Sequence, residues 1–398
     1  MKVGIDYSSY TINGGLRTMK IKRIVAILFI CLLMAPAVLV AQGGKESGAA
    51  PAQAVAEKEM TKEELIAAAQ KEGTLTVYSP SSRHSKVGDE FGAKYGIKVQ
   101  VTQLKDVEMI EKVSKEAAAN LDAADVVFVQ DGGRIYTELL DTGYITSYTP
   151  MDLRSTIEQK YQDPLQVWDL CTKVFIYNSE RWQQPITNVW ELTEPKWKGL
   201  VQMKDPFGEG VNMNFLTMIT KDEHAKALAD AYKKLYGKDL VLTTKNAGYE
   251  WIKMFFQNGL LLGKSDTTIA EQIGAKGQAN QWMALFTMNK LRTAKDKNLA
   301  LAPSYNVEPF SGFYYPIYAS IPSNSRSVNA AKLFIDYALS EEGYAAFNQL
   351  GDYSPNPALK NTEDPVSIQE WDKMLIYEDP EWCAEARADV EEFLSAIM

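Results

Sequence analysis

A short apolar run that stops at a polar turn and restarts at once as a helix limits a chain to few architectures, and this sequence repeats that pattern. Its first instance is 73–91, G-T-L-T-V-Y-S-P-S-S-R-H-S-K-V-G-D-E-F. Leu75, Val77 and Tyr78 read as a buried strand, Ser79-Pro80-Ser81-Ser82 as a turn, and Val87 and Phe91, four apart, as one helix face. Such a turn sets free backbone N–H groups and hydroxyls at the positive end of a helix, which suits a small polar or anionic ligand. The same serines also serve as an ordinary N-cap.

The alternation continues in both directions. Thr61 and Glu64 form a capping box ahead of an Ala-rich helix. A strand at 97–101, a helix at 107–120 and the apolar run 125–129 follow, which predicts a parallel sheet covered on both faces. Ligands of such sheets bind beyond the carboxyl ends of strands, where Ser79–Ser82 and Gln130-Asp131-Gly132-Gly133 fall. A second set repeats the unit: strands at 173–177 and 200–203, the latter ending at Asp205-Pro206-Phe207-Gly208-Glu209-Gly210 and opening a helix through 214–218. Two such units predict two lobes facing one cleft. Helices at 222–236, 245–258, 267–275 and 328–349 complete a three-layer α/β picture.

At 398 residues, 46% hydrophobic and 11% aromatic, the chain has ample material for packed cores. Its net charge of −9 includes five basic residues and one acid before residue 42, so the remainder stands at −13. That body lacks the Lys/Arg density that neutralises phosphate backbones, and nucleic acid is not expected as a partner. Cys31, Cys171 and Cys383 have no metal-site spacing; one bridge between the last two and two separate buried thiols are both open, the thiols being the simpler reading. Residues 19–41 have the basic, apolar and small-residue zones of a secretory signal, with Met19 the expected start, and 42–57 reads as a flexible tether. A retained anchor from Ile24 to Ala41 and lipidation at Cys31 are the competing readings. For an enzyme the chain offers no G-x-S-x-G and no H-E-x-x-H. Its two histidines, His84 and His224, have no cysteine nearby, and the cleft-loop carboxylates are Asp131, Asp205 and Glu209.

Several segments in order resemble the substrate-binding proteins of bacterial ABC importers, in the group that binds ferric iron, thiamine, polyamines and phosphorylated sugars. They are 73–91, 124–131 and 174–180, then V-W-E-L-T-E-P-K-W-K-G-L-V at 189–201 with Asp205-Pro206 after it, and the near-terminal 330–343 with Asn348-Gln-Leu-Gly351. The Pro-x-Trp-Lys-Gly arrangement is the most specific of these. The resemblance implies a two-lobed, type II periplasmic-binding-protein fold, each lobe an α/β/α sandwich: 58–170 with 305–350, and 171–304 with 351–398. It also implies a monomeric extracytoplasmic protein, without cofactor, that closes on one ligand and delivers it to a membrane permease. Closure requires that the ligand touch both lobes.

Iron binders of that group use a His after the first strand, a Glu after the lobe-one strand and adjacent late tyrosines, since Fe(III) prefers anionic oxygen. Here Ser82 stands near the His position with His84 two residues on, Gln130 replaces the Glu, and Tyr314-Tyr315 sits further along on a strand whose pleat turns the two rings apart. If iron is the cargo, its ligands are His84, Asp131, Tyr314 and Tyr315. The favoured expectation is an anionic organic solute such as a sugar phosphate, phosphonate or carboxylate. It would be held by Ser79, Ser81, Ser82 and Arg83 on one side and by Gln130, Asp131, Asp205, Gly208 and Glu209 around the loops. Tyr177, Trp282 and Tyr315 would stack on a ring or pack the hinge.

Overall fold

A computed structural model describes residues 60–180, 182–294 and 296–398; the expected signal, the 42–57 tether and Cys31 lie outside the described residues. Twelve strands form one continuous sheet: β1 (Thr74–Ser79), β2 (Lys98–Gln103), β3 (Val126–Val129), β4 (Ile145–Ser147), β5 (Val167–Asn178), β6 (Val201–Lys204), β7 (Leu261–Gly263), β8 (Met283–Thr287), β9 (Leu301–Pro303), β10 (Gly312–Pro322), β11 (Asp352–Tyr353) and β12 (Leu375–Tyr377). The order β2-β1-β3-β10-β5-β8-β6-β7 divides into two halves. In the first, β2, β1 and β3 are parallel; in the second, β8, β6 and β7 are parallel. Between them run β5 and β10, long, antiparallel to each other and buried along their whole length. These two strands belong to both halves and make the fold two-lobed.

Local chemistry explains the elements. The Thr61 and Glu64 side chains close the expected capping box before the helix Lys62–Glu72, and Gly73 ends that helix in the left-handed region. The 173–177 run is part of the longer β5, which is buried along its whole length, with Asp169, Thr172 and Lys173 among its buried residues. The helix expected over 328–349 divides into Val328–Ala338 and Glu341–Tyr344. Ser340 caps the second piece, and Gly343 packs where a Cβ would come within 2.1 Å of the Tyr337 carbonyl oxygen. Cys171 and Cys383 are free and buried, so no bridge joins them.

Candidate ligand cleft

The carboxyl ends of β1, β2, β3, β6, β7 and β8 all open onto one cleft of about 330 Å³. The turn after β1 supplies Pro80, Ser81, Ser82, Arg83 and His84; β2 ends in Gln103; Gln130 follows β3. From the other half come Lys204 at the end of β6 and Glu209 after it, Ser265, Asp266 and Thr267 after β7, and Thr287 at the end of β8 with Asn289, Lys290 and Arg292 after it. Cys171 and Tyr315 on the crossing strands form the floor with Trp168, which a register slip between Ile317 and Tyr318 leaves as an extra residue.

The turn after β1 is built to hold Arg83. The Ser79 hydroxyl accepts the Ser81 N–H at 3.0 Å, and the Ser81 hydroxyl accepts the Arg83 N–H and Nε–H at 3.3 and 3.4 Å. The guanidinium lies 4.1 Å over the Phe347 ring and reaches Asp352 Oδ2 at 3.4 Å. Ser82, although at the N-cap position, makes no side-chain cap bond.

On the other wall, fully buried Lys173 donates to Glu209 Oε2 at 2.7 Å and to Asn212 Oδ1 at 2.9 Å, with Asp266 Oδ2 at 3.5 Å. Lys204 takes Glu209 Oε1 at 2.7 Å, and Thr287 donates to Asp266 at 2.5 Å. Two ammoniums and two carboxylates cancel there, and Arg83 is set against Asp352. Lys290 and Arg292 remain: among the described residues neither has a carboxylate within ion-pair distance. Burial pushes Lys290 below the usual ammonium range, with Arg292 and Arg83 adding to the shift and Asp266 opposing it; burial and then Arg83 lower Arg292. The cleft thus carries uncompensated positive charge.

Gln130 is held by Asp106, whose oxygens accept its backbone N–H at 3.0 Å and its side-chain amide at 2.8 Å. Burial is the main cause that raises Asp106 to about 6, Asp131 adding to it. A raised carboxyl favours folding below the unfolded value near 4, and that contribution is lost as pH rises through about 6. Asp106→Asn is therefore expected to flatten the stability-versus-pH curve between pH 4 and 6 by about 1–3 kcal/mol, read from urea midpoints. An unchanged curve would remove Asp106 as its source.

Of the expected site residues, Ser81, Ser82, Arg83, His84, Gln130, Glu209 and Tyr315 line the cleft, and Ser79, Asp131, Tyr177, Asp205, Gly208, Trp282 and Tyr314 do not. Ser79 is fully buried beneath the turn, 2.6 Å from His84 Nδ1. Asp131 is consumed by Arg387, both oxygens at 2.9 Å, and by Asn214. Tyr177 is six residues beyond Cys171 along β5, about 20 Å away. Asp205 turns back to accept the Phe207 N–H at 3.0 Å, and Gly208 N–H goes to the Asp205 carbonyl. Trp282 faces a separate surface hollow beside Gln202 and Leu261.

The iron set does not converge. Tyr315 faces the cleft, whereas Tyr314 turns into the opposite core and donates to Asp372. His84 is 1% exposed, packed among Phe128, Trp168 and Phe347, and burial, with Arg83 beside it, lowers its pKa to about 3. Of the three cleft-loop carboxylates offered for an enzyme, Asp131 and Asp205 do not line the cleft and Glu209 is clamped between two lysines.

Sequence reasoning missed Lys204, the 265–267 turn and the 287–292 segment. The turn was findable, since β7 followed by the helix Asp266–Gly274 is a third strand–turn–helix unit. Lys173 also gave a sign, a lysine leading directly into the apolar run Val174-Phe-Ile-Tyr.

The family description "Bacterial extracellular solute-binding protein" matches residues 86–375. Iron uptake protein A1 of Synechocystis sp. is 27% identical over 157 residues, 37% of this chain, and the match spans under half (43%) of that protein. An uncharacterised protein of Haemophilus influenzae is 24% identical over 277 residues, 66% of this chain and 71% of its own length. Iron-bound HitA from Pseudomonas aeruginosa superposes at a TM-score of 0.63 with 19% identity, over 81% of this chain and 99% of HitA. AfuA from Actinobacillus pleuropneumoniae, with fructose-6-phosphate bound, gives 0.61 with 20% identity, over 82% and 98%. Among the described residues no helix is long and apolar enough to cross a membrane. With its two-lobed fold and a family match over most of its length, the chain belongs to the bacterial extracellular solute-binding proteins.

Proposed function

We propose that this protein captures a small anionic organic solute, of the sugar-phosphate, phosphonate or carboxylate kind, and hands it to an ABC permease. The observation that carries the reading is the pair Lys290 and Arg292 on the cleft wall without carboxylate partners, facing the Ser81–Arg83 turn of the other lobe. Cations in a partly dry cleft gain most from an anion that replaces lost water, and an anion touching both walls favours the closed form. Ferric iron is the second reading, favoured by the iron-bound structural relative; the divergence of Tyr314 from Tyr315 and the commitment of Asp131 to Arg387 count against it.

Native mass spectrometry of the freshly purified protein before and after denaturation tests the choice. An organic anion released on denaturation supports the proposal, and one iron atom overturns it. With a hexose phosphate as probe, Lys290→Ala and Arg292→Ala are each expected to weaken binding at least tenfold with little change in melting temperature. Unchanged affinity in both variants would sink the reading.

A further inference from the structure

Below the cleft floor lies a cluster of acids that the binding reading does not use. We propose that Asp169 and Asp352 share one proton under the floor, and that anion capture is linked to that proton through Arg83. The inference rests on the anionic reading of the cleft.

Both side chains are fully buried: Asp169 on β5 and Asp352 on β11. The Cys171 thiol bridges them, 3.3 Å from Asp169 Oδ2 and 3.4 Å from Asp352 Oδ1. Tyr344 donates to Asp169 Oδ1 at 2.5 Å from the helix Glu341–Tyr344, and Asn289 donates to Asp352 at 2.9 Å from the segment after β8. Against two carboxyls the cluster has one cation in contact, Arg83, which itself lines the cleft. Lys290 and Arg292 act on Asp352 from farther off, and Cys171 and Tyr344 stay neutral because burial raises both. His84, on the helix that carries Arg83, is neutral as well.

One guanidinium can offset one carboxylate. Two ionised carboxylates in a dry space would leave a net negative charge, and the arrangement avoids it by keeping a proton. Burial and then Asp352 push Asp169 up to about 8, and burial raises Asp352 too. Below about pH 8 the pair and Arg83 sum to neutral, and an anion in the cleft meets the unopposed Lys290 and Arg292. Above it, the second negative charge appears beneath the floor, repels the anion and competes for Arg83. By reciprocity, a bound anion raises the proton affinity of the pair, so binding near pH 8 takes up a proton.

The probe is sulfate, whose charge is constant between pH 6 and 10, on the full-length protein. Isothermal titration in buffers of different ionisation enthalpy is expected to show proton uptake near pH 8. Affinity should fall about tenfold from pH 6.5 to 9.5, a coupling of ordinary size. In carboxyl-13C-aspartate protein, one carboxyl should titrate near 8 and move upward with sulfate. Asp169→Asn is expected to bind sulfate as the wild type does at pH 6.5 and to lose the pH dependence. If no aspartate titrates above about 7, or if Asp169→Asn keeps the wild-type pH profile, the proposal is overturned. The wild-type readings decide the matter if the variant does not fold. A carboxyl titrating near 8 with no sulfate binding at any pH would overturn the anionic reading and the linkage with it, leaving the proton a structural one.

Discussion

Replacing Lys173 by Met should cost the folded protein about 3–5 kcal/mol, because it strands two carboxylates that the fold has removed from water. The Lys173 ammonium is fully buried and lies within ion-pair distance of both Glu209 and Asp266. Burial alone would lower its pKa, yet Asp266 and Glu209 outweigh that and raise it, so the lysine is charged in the fold. Without it Lys204 still holds one oxygen of Glu209, whereas among the described residues Asp266 keeps the Thr287 hydroxyl as its hydrogen-bond partner, with Lys204 and Lys290 acting on it from farther off. A urea midpoint that falls with an unchanged slope is the expected signature. Pairing Lys173→Met with Asp266→Asn should recover part of the loss, since the double change removes the orphaned charge. A loss below about 1 kcal/mol would mean that the network relaxes to admit water and is not a fixed support of the cleft wall.

Gly312→Ala should be nearly as damaging, by about 3 kcal/mol or more, for a steric reason. Gly312 opens β10 at φ +152°, and a Cβ there would come within 2.1 Å of the Lys173 carbonyl oxygen and 2.7 Å of the Val174 Cα. Both are backbone atoms of β5, so no side chain can swing aside. Relief requires separating the two crossing strands, which carry Cys171 and Tyr315 to the cleft floor. Gly237→Ala is the matching control: Gly237 has φ +68° but open space around it, and should lose only about 1 kcal/mol of backbone strain. Thermal melts that move equally for the two variants would show that conformation, not the strand approach, is what Gly312 supplies.

Much of the layout follows from short-range physics. The capping box at Thr61, the apolar runs that became β1, β3 and β6, and the polar turns at their ends depend on residues within a few positions of one another. The pleat alone requires Tyr314 and Tyr315 to face opposite ways. The rule that ligands gather at strand ends named the turn after β1, the loop after β3 and the loop after β6, and all three reach the cleft through Arg83, Gln130 and Glu209.

What stayed hidden depended on who meets whom across long stretches of chain. Asp131 and Gln130 are neighbours at one strand end, yet Asp131 is taken by Arg387, 256 residues away, and Gln130 is left at the cleft. Lys290 and Arg292 look in sequence like any solvated basic pair, and become cleft charges because antiparallel pairing with β5 brings the end of β8 beside the floor. Asp169 and Asp352 become a single electrostatic unit only when β11 pairs with β5. The sequence by itself therefore determined the element types and the strand ends where a ligand could sit, because backbone geometry and side-chain periodicity are local. The tertiary structure decided which charges are cancelled and which face the cleft, because Coulomb energy and desolvation depend on distance through space and not along the chain.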